Sequence, residues 1–205
     1  MNLDTIKMNQ ELKDKTPQEI VRWALSLNKK AIVTTNFRPY EAAILHACMQ
    51  VNPNMTVVWC DTGYNTPQTY KHAFELIDKL QLNIDLYTPL QTSAYRDALM
   101  GIPMVDDPRH KEFTEQVKLE PFNRAMQKHT PELWFTNLRN GQTELRNSLD
   151  IVSVSNDGVI KVSPFYYYSD EQLDAYLEKY DLPNEHRYFD PTKALDNREC
   201  GLHTQ

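Results

Sequence analysis

Three short apolar runs at regular separation constrain this chain more than anything else in it. Residues 31–35, 56–60 and 83–87 read as strands. Between them, Pro39 opens a helix with Ala43, Ile44, Ala47 and Cys48 at helical spacing, and Pro67 opens a longer one through Phe74, Leu76, Ile77 and Leu80. Short strands joined by single helices and brief connections pair in parallel, and such a sheet needs helices on both faces. The expectation is an α/β fold built on a parallel twisted sheet.

The flanking sequence extends this plan. Thr16-Pro17 caps an amphipathic helix whose stripe is Ile20, Val21, Trp23, Ala24 and Leu25. Residues 101–108 read as loop, 112–128 as a helix with Pro121 as a candidate interruption, and 133–136 as a fourth strand. Residues 151–154 and 159–162 form a hairpin turning at Asn156-Asp157-Gly158, and Ser169-Asp170 caps a last helix through Leu173, Tyr176 and Leu177. From Asp181 onward Pro, Asn and charged residues dominate. The expected division is therefore a nucleotide-binding α/β domain over 1–180 and a flexible C-terminal catalytic tail over 181–205.

A net charge of −6 argues against nonspecific nucleic-acid binding. No apolar stretch approaches the roughly 20 residues that span a bilayer, and the polar first residues lack a secretory core, so the expected location is cytoplasmic. The three cysteines, Cys48, Cys60 and Cys200, form no CxxC and no adjacent pair. That argues against a disulfide framework and a four-thiolate metal site within one chain.

Ligands of open parallel sheets bind beyond the carboxyl ends of the strands, and three segments fall there. Thr34-Thr35-Asn36-Phe37-Arg38-Pro39 leads into a helix start, where Thr34, Thr35, Asn36 and Arg38 can cradle a phosphate or simply cap the helix. Asp61-Thr62-Gly63-Tyr64 follows the second strand. Gly63 permits close backbone approach and Tyr64 can face a base, or the segment is an ordinary turn. After the fourth strand come Arg139, Gln142 and Arg146, whose guanidinium groups suit phosphate or sulfate, although surface arginines are commonly just solvated. Lys118 and Arg124 are further candidate cations, for which plain surface charge is a stronger rival reading than for the others. His46 and His72 read as helix packing residues, and Cys60 as a buried structural thiol.

The run Arg198-Glu199-Cys200-Gly201-Leu202-His203 places a thiol where little chain follows to bury it. Arg198 and His203 can favour its thiolate, and Gly201 leaves the backbone free to bend, which suits a mobile nucleophile. Without a resolving cysteine nearby, any two-electron cycle at Cys200 needs an outside thiol.

Taken together these segments resemble the phosphoadenylyl-sulfate (PAPS) reductase family. The likeness runs through Trp59-Cys60-Asp61-Thr62-Gly63-Tyr64 with Pro67-Gln68-Thr69-Tyr70, then Lys118-Leu119-Glu120-Pro121 with Asn123-Arg124-Ala125. It continues through Trp134-Phe135 with Leu138-Arg139, Gln142 and Arg146, and ends in Glu199-Cys200-Gly201-Leu202-His203. It departs at one place: a Gly-, Thr- and Ser-rich segment of about a dozen residues before the cysteine tail is missing, and Asp190-Pro191-Thr192-Lys193 stands there instead.

The resemblance implies a Rossmann-like, adenine nucleotide alpha hydrolase-like sheet. The missing paired cysteines imply the cluster-free branch, with no bound cofactor, no metal and no iron–sulfur cluster. The implied reaction reduces PAPS to sulfite and adenosine 3′,5′-bisphosphate through an S-sulfonated Cys200. Thioredoxin or glutaredoxin would be the electron donor, and the protein a homodimer. Arg198 and His203 would assist Cys200, while Thr34, Thr35, Asn36, Arg38, Asp61, Thr62, Gly63, Tyr64, Lys118, Arg139, Gln142 and Arg146 would hold substrate. Two rivals remain at this point: an ATP-dependent adenylyltransferase or pyrophosphatase of the same superfamily, and a non-catalytic nucleotide-binding relative.

Overall fold

A computed structural model describes residues 4–141 and 147–192. Its centre is a six-stranded sheet in the order β3-β2-β1-β4-β6-β5. The strands are β1 (Ala31–Thr35), β2 (Thr56–Cys60), β3 (Asn83–Tyr87), β4 (Leu133–Phe135), β5 (Val152–Val154) and β6 (Ile160–Val162). All neighbours pair in parallel except β5, which runs antiparallel to β6 at the edge. The hairpin between them turns where the sequence placed it, with Gly158 at φ 87°.

The helices are α1 (Thr5–Leu12), α2 (Pro17–Leu25), α3 (Glu41–Val51), α4 (Pro67–Leu80), α5 (Ser93–Leu99), α6 (His110–Thr114), α7 (Glu120–His129) and α8 (Asp170–Lys179). Val33, Val57, Leu133, Phe135 and Val162 meet α2, α3, α4 and α8 on one face of the sheet. On the other face Ile32, Val58, Cys60 and Trp134 meet Phe122 and Ala125 of α7. The sheet is thus covered on both sides, as its apolar strands require. None of the helices is long and apolar enough to cross a membrane among the described residues.

Three departures from the sequence reading bear on the site. α3 begins at Glu41, two residues after Pro39, because Phe37 and Tyr40 take positive φ values of 52° and 67° and hold the loop out of helix. The helix expected over 112–128 is α6 and α7 joined through a π turn at Glu115–Leu119. Pro121 does not break it, since at the start of α7 a missing N–H costs little. Finally, α1 and α5 were not apparent in the sequence. α1 buries only Leu12 and α5 only Arg96, so neither shows an apolar stripe.

Candidate active site

In the sheet order β1 lies between β2 and β4, while the chain runs from β1 outward to β3 before returning to β4. The loops leaving β1 and β4 therefore diverge, and a crevice opens between them at the carboxyl ends of the strands. The β1 loop carries both positive-φ residues, a concentration of backbone strain of the kind found at ligand sites. Phe37 is held in place by full burial and an edge contact with Trp59, ring centroids 4.8 Å apart.

The donors of that loop are already engaged. Glu41, 4% exposed at the start of α3, accepts from the Thr35 hydroxyl at 2.8 Å, the Asn36 N–H at 2.7 Å and Arg38 Nε at 2.8 Å. Its carboxylate sits where an anion would meet the positive end of the helix. Thr34 Oγ1 instead accepts from the indole N–H of Trp134. Arg38 Nη2 reaches across the crevice to the carbonyl of Asn137 after β4, at 2.9 Å. Asn137 itself is buried, and its Oδ1 has no partner among the described residues.

The β2 loop is ordered around Asp61, whose carboxylate accepts from the Gly63 N–H, Asn65 Nδ2 and the Tyr70 hydroxyl. Burial and the Asp61 charge push the Tyr70 phenol up to about 12. Gly63 earns its place through φ 79°, not close approach, since a Cβ there would meet nothing nearer than 3.8 Å. Thr62 Oγ1 accepts from the Tyr64 N–H. Tyr64 turns toward α5, where its ring lies against Arg96 and Phe113 and its hydroxyl donates to Asp97.

Lys118 is no surface charge. The π turn widens the helix just before α7 and directs this side chain inward, leaving the residue 3% exposed. Its Nζ lies 2.5 Å from Asp190 Oδ2, a pair buried on both sides. Burial alone would raise the Asp190 carboxyl. The Lys118 charge and hydrogen bonds from Lys118 and Thr192 outweigh it and hold the group below the ordinary carboxylate range. Lys118 and Arg124 also act on Cys60 at the end of β2, but burial dominates there and pushes that thiol up to about 12. Cys60 is accordingly a neutral buried thiol, as is Cys48.

Residues 184–192 form a strap over this rim. Asn184 Oδ1 accepts from the Tyr40 N–H, the Arg187 carbonyl accepts from Thr66 and Thr69, and Asp190 closes on Lys118. Arg139, on the opposite side of the crevice, pairs with Asp170 at 2.5 Å and lies over the Tyr40 ring. Arg124 donates to Glu120 and to the Thr88 carbonyl. His46 and His72 are buried, and burial pushes both imidazoles down, in keeping with a packing role. Gln142, Arg146, Arg198, Cys200 and His203 lie outside the described residues.

The structure thus gathers Thr34, Thr35, Asn36, Arg38 and Arg139 at the switch point, with Asp61, Thr62 and Gly63 at the end of β2 and Lys118 near Cys60. Tyr64 faces away toward α5. Sequence reasoning passed over Glu41 and Asn137, and it noted Asp190 and Thr192 only as part of the segment that stands where the Gly-, Thr- and Ser-rich stretch is missing, without pairing Asp190 to Lys118. An acid just inside a helix start was the available signal for Glu41; nothing local marked Asn137.

The phosphoadenosine phosphosulfate reductase domain model matches residues 30–190. A phosphoadenosine 5′-phosphosulfate reductase from Synechococcus is 30% identical over 96% of both chains. One from Photobacterium profundum is 34% identical over 88% of this chain and 72% of the relative. Among solved structures, a PAPS reductase from Candida auris aligns at a TM-score of 0.77 and 23% identity over 90% of each chain. An NH3-dependent NAD synthetase from Campylobacter jejuni aligns at 0.55 and 12% identity over 85% of this chain and 74% of the other, a likeness of fold alone.

Proposed function

The chain belongs to the phosphoadenosine phosphosulfate reductase family, and from that premise we propose that it reduces 3′-phosphoadenylyl sulfate to sulfite and adenosine 3′,5′-bisphosphate, as an oxidoreductase of sulfate assimilation. The observation that carries the reading is Lys118. An ammonium sequestered at the strand ends and already closed on a carboxylate is suited to an anionic sulfuryl or phosphate group.

In the proposed cycle the Cys200 thiolate attacks the sulfur of the sulfuryl group. The bond from sulfur to the phosphate oxygen breaks, and adenosine 3′,5′-bisphosphate departs with its electron pair. Lys118, Arg139 and Arg146 offset the charge that builds on the oxygens, and Arg198 and His203 favour the thiolate. Thr34, Thr35, Asn36, Arg38, Asp61, Thr62, Gly63 and Gln142 line the nucleotide path, and Tyr64, which faces α5, takes no part in it. An external dithiol, thioredoxin or glutaredoxin, then attacks Cys200 Sγ and expels sulfite. Its second thiol resolves the mixed disulfide, so the dithiol ends as a disulfide and sulfur has gained two electrons.

The strap supports the reach this cycle needs. Thr192 is hydrogen-bonded to Asp190 beside Lys118, and Cys200 follows eight residues later, an extended span of at most about 28 Å. Cys200 can therefore meet the crevice of its own chain or that of a second subunit. In this proposal the 181–205 segment is the catalytic tail of a cytoplasmic homodimer that needs no metal or cluster. The test is incubation with PAPS, without reductant, followed by intact mass measurement. Wild type gains one sulfonate and Cys200→Ser gains none; a sulfonate on neither protein, or on both, defeats the mechanism. ATP turnover that survives Cys200→Ser would instead identify an ATP-cleaving enzyme.

A further inference from the structure

The second face of the sheet carries a cavity of about 160 Å³ that the proposed reaction does not use. α7 returns from the carboxyl rim toward the start of β4, so its later residues cover the amino-terminal half of the sheet. The β5–β6 turn closes at the same end. Between them the cavity is walled by Phe122, Asn123, Gln127, Trp134, Asp157 and Lys161.

Lys161 is the unusual member. It stands in the middle of β6, opposite Trp134 of β4, and is 6% exposed. Its Nζ lies over the Trp134 ring, 5.2 Å from the centroid. Among the described residues this ammonium has neither a hydrogen-bond acceptor nor an ion-pair partner, and the side chains of Asn123 and Gln127 are likewise not spent on protein groups. The stem of Lys161 is buried while its ammonium opens onto the cavity, so an anion entering there would replace solvent as its partner in a poorly hydrated setting. Burial pushes the Lys161 amine down, while the nearby charge of Asp157 opposes that shift.

We infer that this cavity binds a small organic monocarboxylate, its carboxylate on Lys161 Nζ and its body against Trp134 and Phe122. The carboxamides of Asn123 and Gln127 supply further donors at the mouth. Three features set the class. The single cation calls for an anion. The aromatic walls favour an organic body over a fully hydrated inorganic ion. Asp157, which accepts from the Ser155 hydroxyl at the rim, repels a second negative charge and so disfavours sulfate or phosphate. The volume suits a molecule of about benzoate size, several times the roughly 30 Å³ a water takes up in the liquid.

The inference is independent of the reductase reading, and its test needs no turnover. Benzoate and acetate are titrated into the full chain, with sulfate for comparison, while the Gln127 side-chain amide resonance, which lines the cavity and lies outside the crevice, is followed after assignment with Gln127→Glu. Benzoate shifts the resonance saturably and binds more tightly than acetate, and sulfate leaves it unmoved. Lys161→Met weakens benzoate at least tenfold and Lys161→Arg restores most of the affinity. Asp157→Asn, on the exposed turn, tightens benzoate severalfold and admits sulfate. A non-saturable response, or equal affinity in folded Lys161→Met, overturns the inference. Should Lys161→Met not fold, Asp157→Asn decides: unchanged or weaker benzoate binding is equally fatal.

Discussion

Replacing Asp190 by Asn tests whether Lys118 is the group that meets the substrate's anion. The two side chains are only 4% and 7% exposed, so their attraction is weakly screened by solvent. At an effective dielectric near 20, unit charges about 3 Å apart attract by roughly 5–6 kcal/mol. Desolvation offsets much of that gain, but removing one member of a buried pair still costs about 3–5 kcal/mol, because the other charge stays behind. Asn keeps an oxygen that can accept from Lys118 and from Thr192, so about 3 kcal/mol is expected. For a chain of this size each 1 kcal/mol moves the midpoint by about 2–4 °C, giving a fall of roughly 6–12 °C.

That loss becomes informative when a ligand is added. If the substrate's anion takes the place of the Asp190 carboxylate, adenosine 3′,5′-bisphosphate restores at least half of the lost stability. By linkage it then binds Asp190→Asn about tenfold more tightly than wild type for each 1.4 kcal/mol recovered. Thermal melts with and without nucleotide, together with calorimetric titration, give both quantities. An equal fall in melting temperature at saturating nucleotide, with unchanged affinity, would refute the reasoning and leave Lys118–Asp190 as a structural pair only.

The same carboxyl predicts an acid signature: held below the ordinary range, it stabilises fully above about pH 4 and progressively less as pH falls through its folded value. Wild type should therefore lose its advantage over Asp190→Asn as pH falls below about 4, and parallel acid-unfolding curves would contradict this. Native chain treated with iodoacetamide at pH 8 should take up one group, at Cys200, because Cys48 and Cys60 are buried thiols; peptide mapping that finds native Cys60 modified would show that its burial is not maintained. Glu41→Ala should cost about 1–3 kcal/mol in urea unfolding, since Arg38, the Thr35 hydroxyl and the Asn36 N–H lose a shared acceptor; a cost near zero would mean the β1 loop is held by other contacts.

The fold was legible wherever a side-chain pattern repeats. Strands buried on both faces show themselves as apolar runs, Thr16-Pro17 and Ser169 mark helix starts with caps that form as hydrogen bonds in the structure, and Pro67 marks a third start, which Thr66 caps. α1 escaped because its work is polar. The Asn9 side chain exchanges two hydrogen bonds with the backbone of Val152, pairing with the edge strand as another strand would, and no periodicity announces that. α5 escaped for the opposite reason, since Tyr95 and Leu99 face outward and its buried residue is the charged Arg96.

The site was half legible for a physical reason. Reading for an anion site means looking for cations, hydroxyls and glycines at strand ends, and Thr35, Arg38, Gly63, Lys118 and Arg139 are all found at the rim. What such a reading leaves out is that donors gathered in a crevice need acceptors while no ligand is present, as buried charge is costly unpaired. The fold supplies them from sites scattered along the sequence: Glu41 for the β1 loop, Asp170 for Arg139, and Asp190 for Lys118 across 72 positions. Of these only Glu41 lies near its partners in the chain, so the others become apparent only once α8 and the strap are folded over the sheet. A tightly bound anionic nucleotide must then exchange with these carboxylates and not merely enter an empty cradle. The Lys118–Asp190 pair is where that exchange has the largest electrostatic consequence, because it is the most deeply buried of the three.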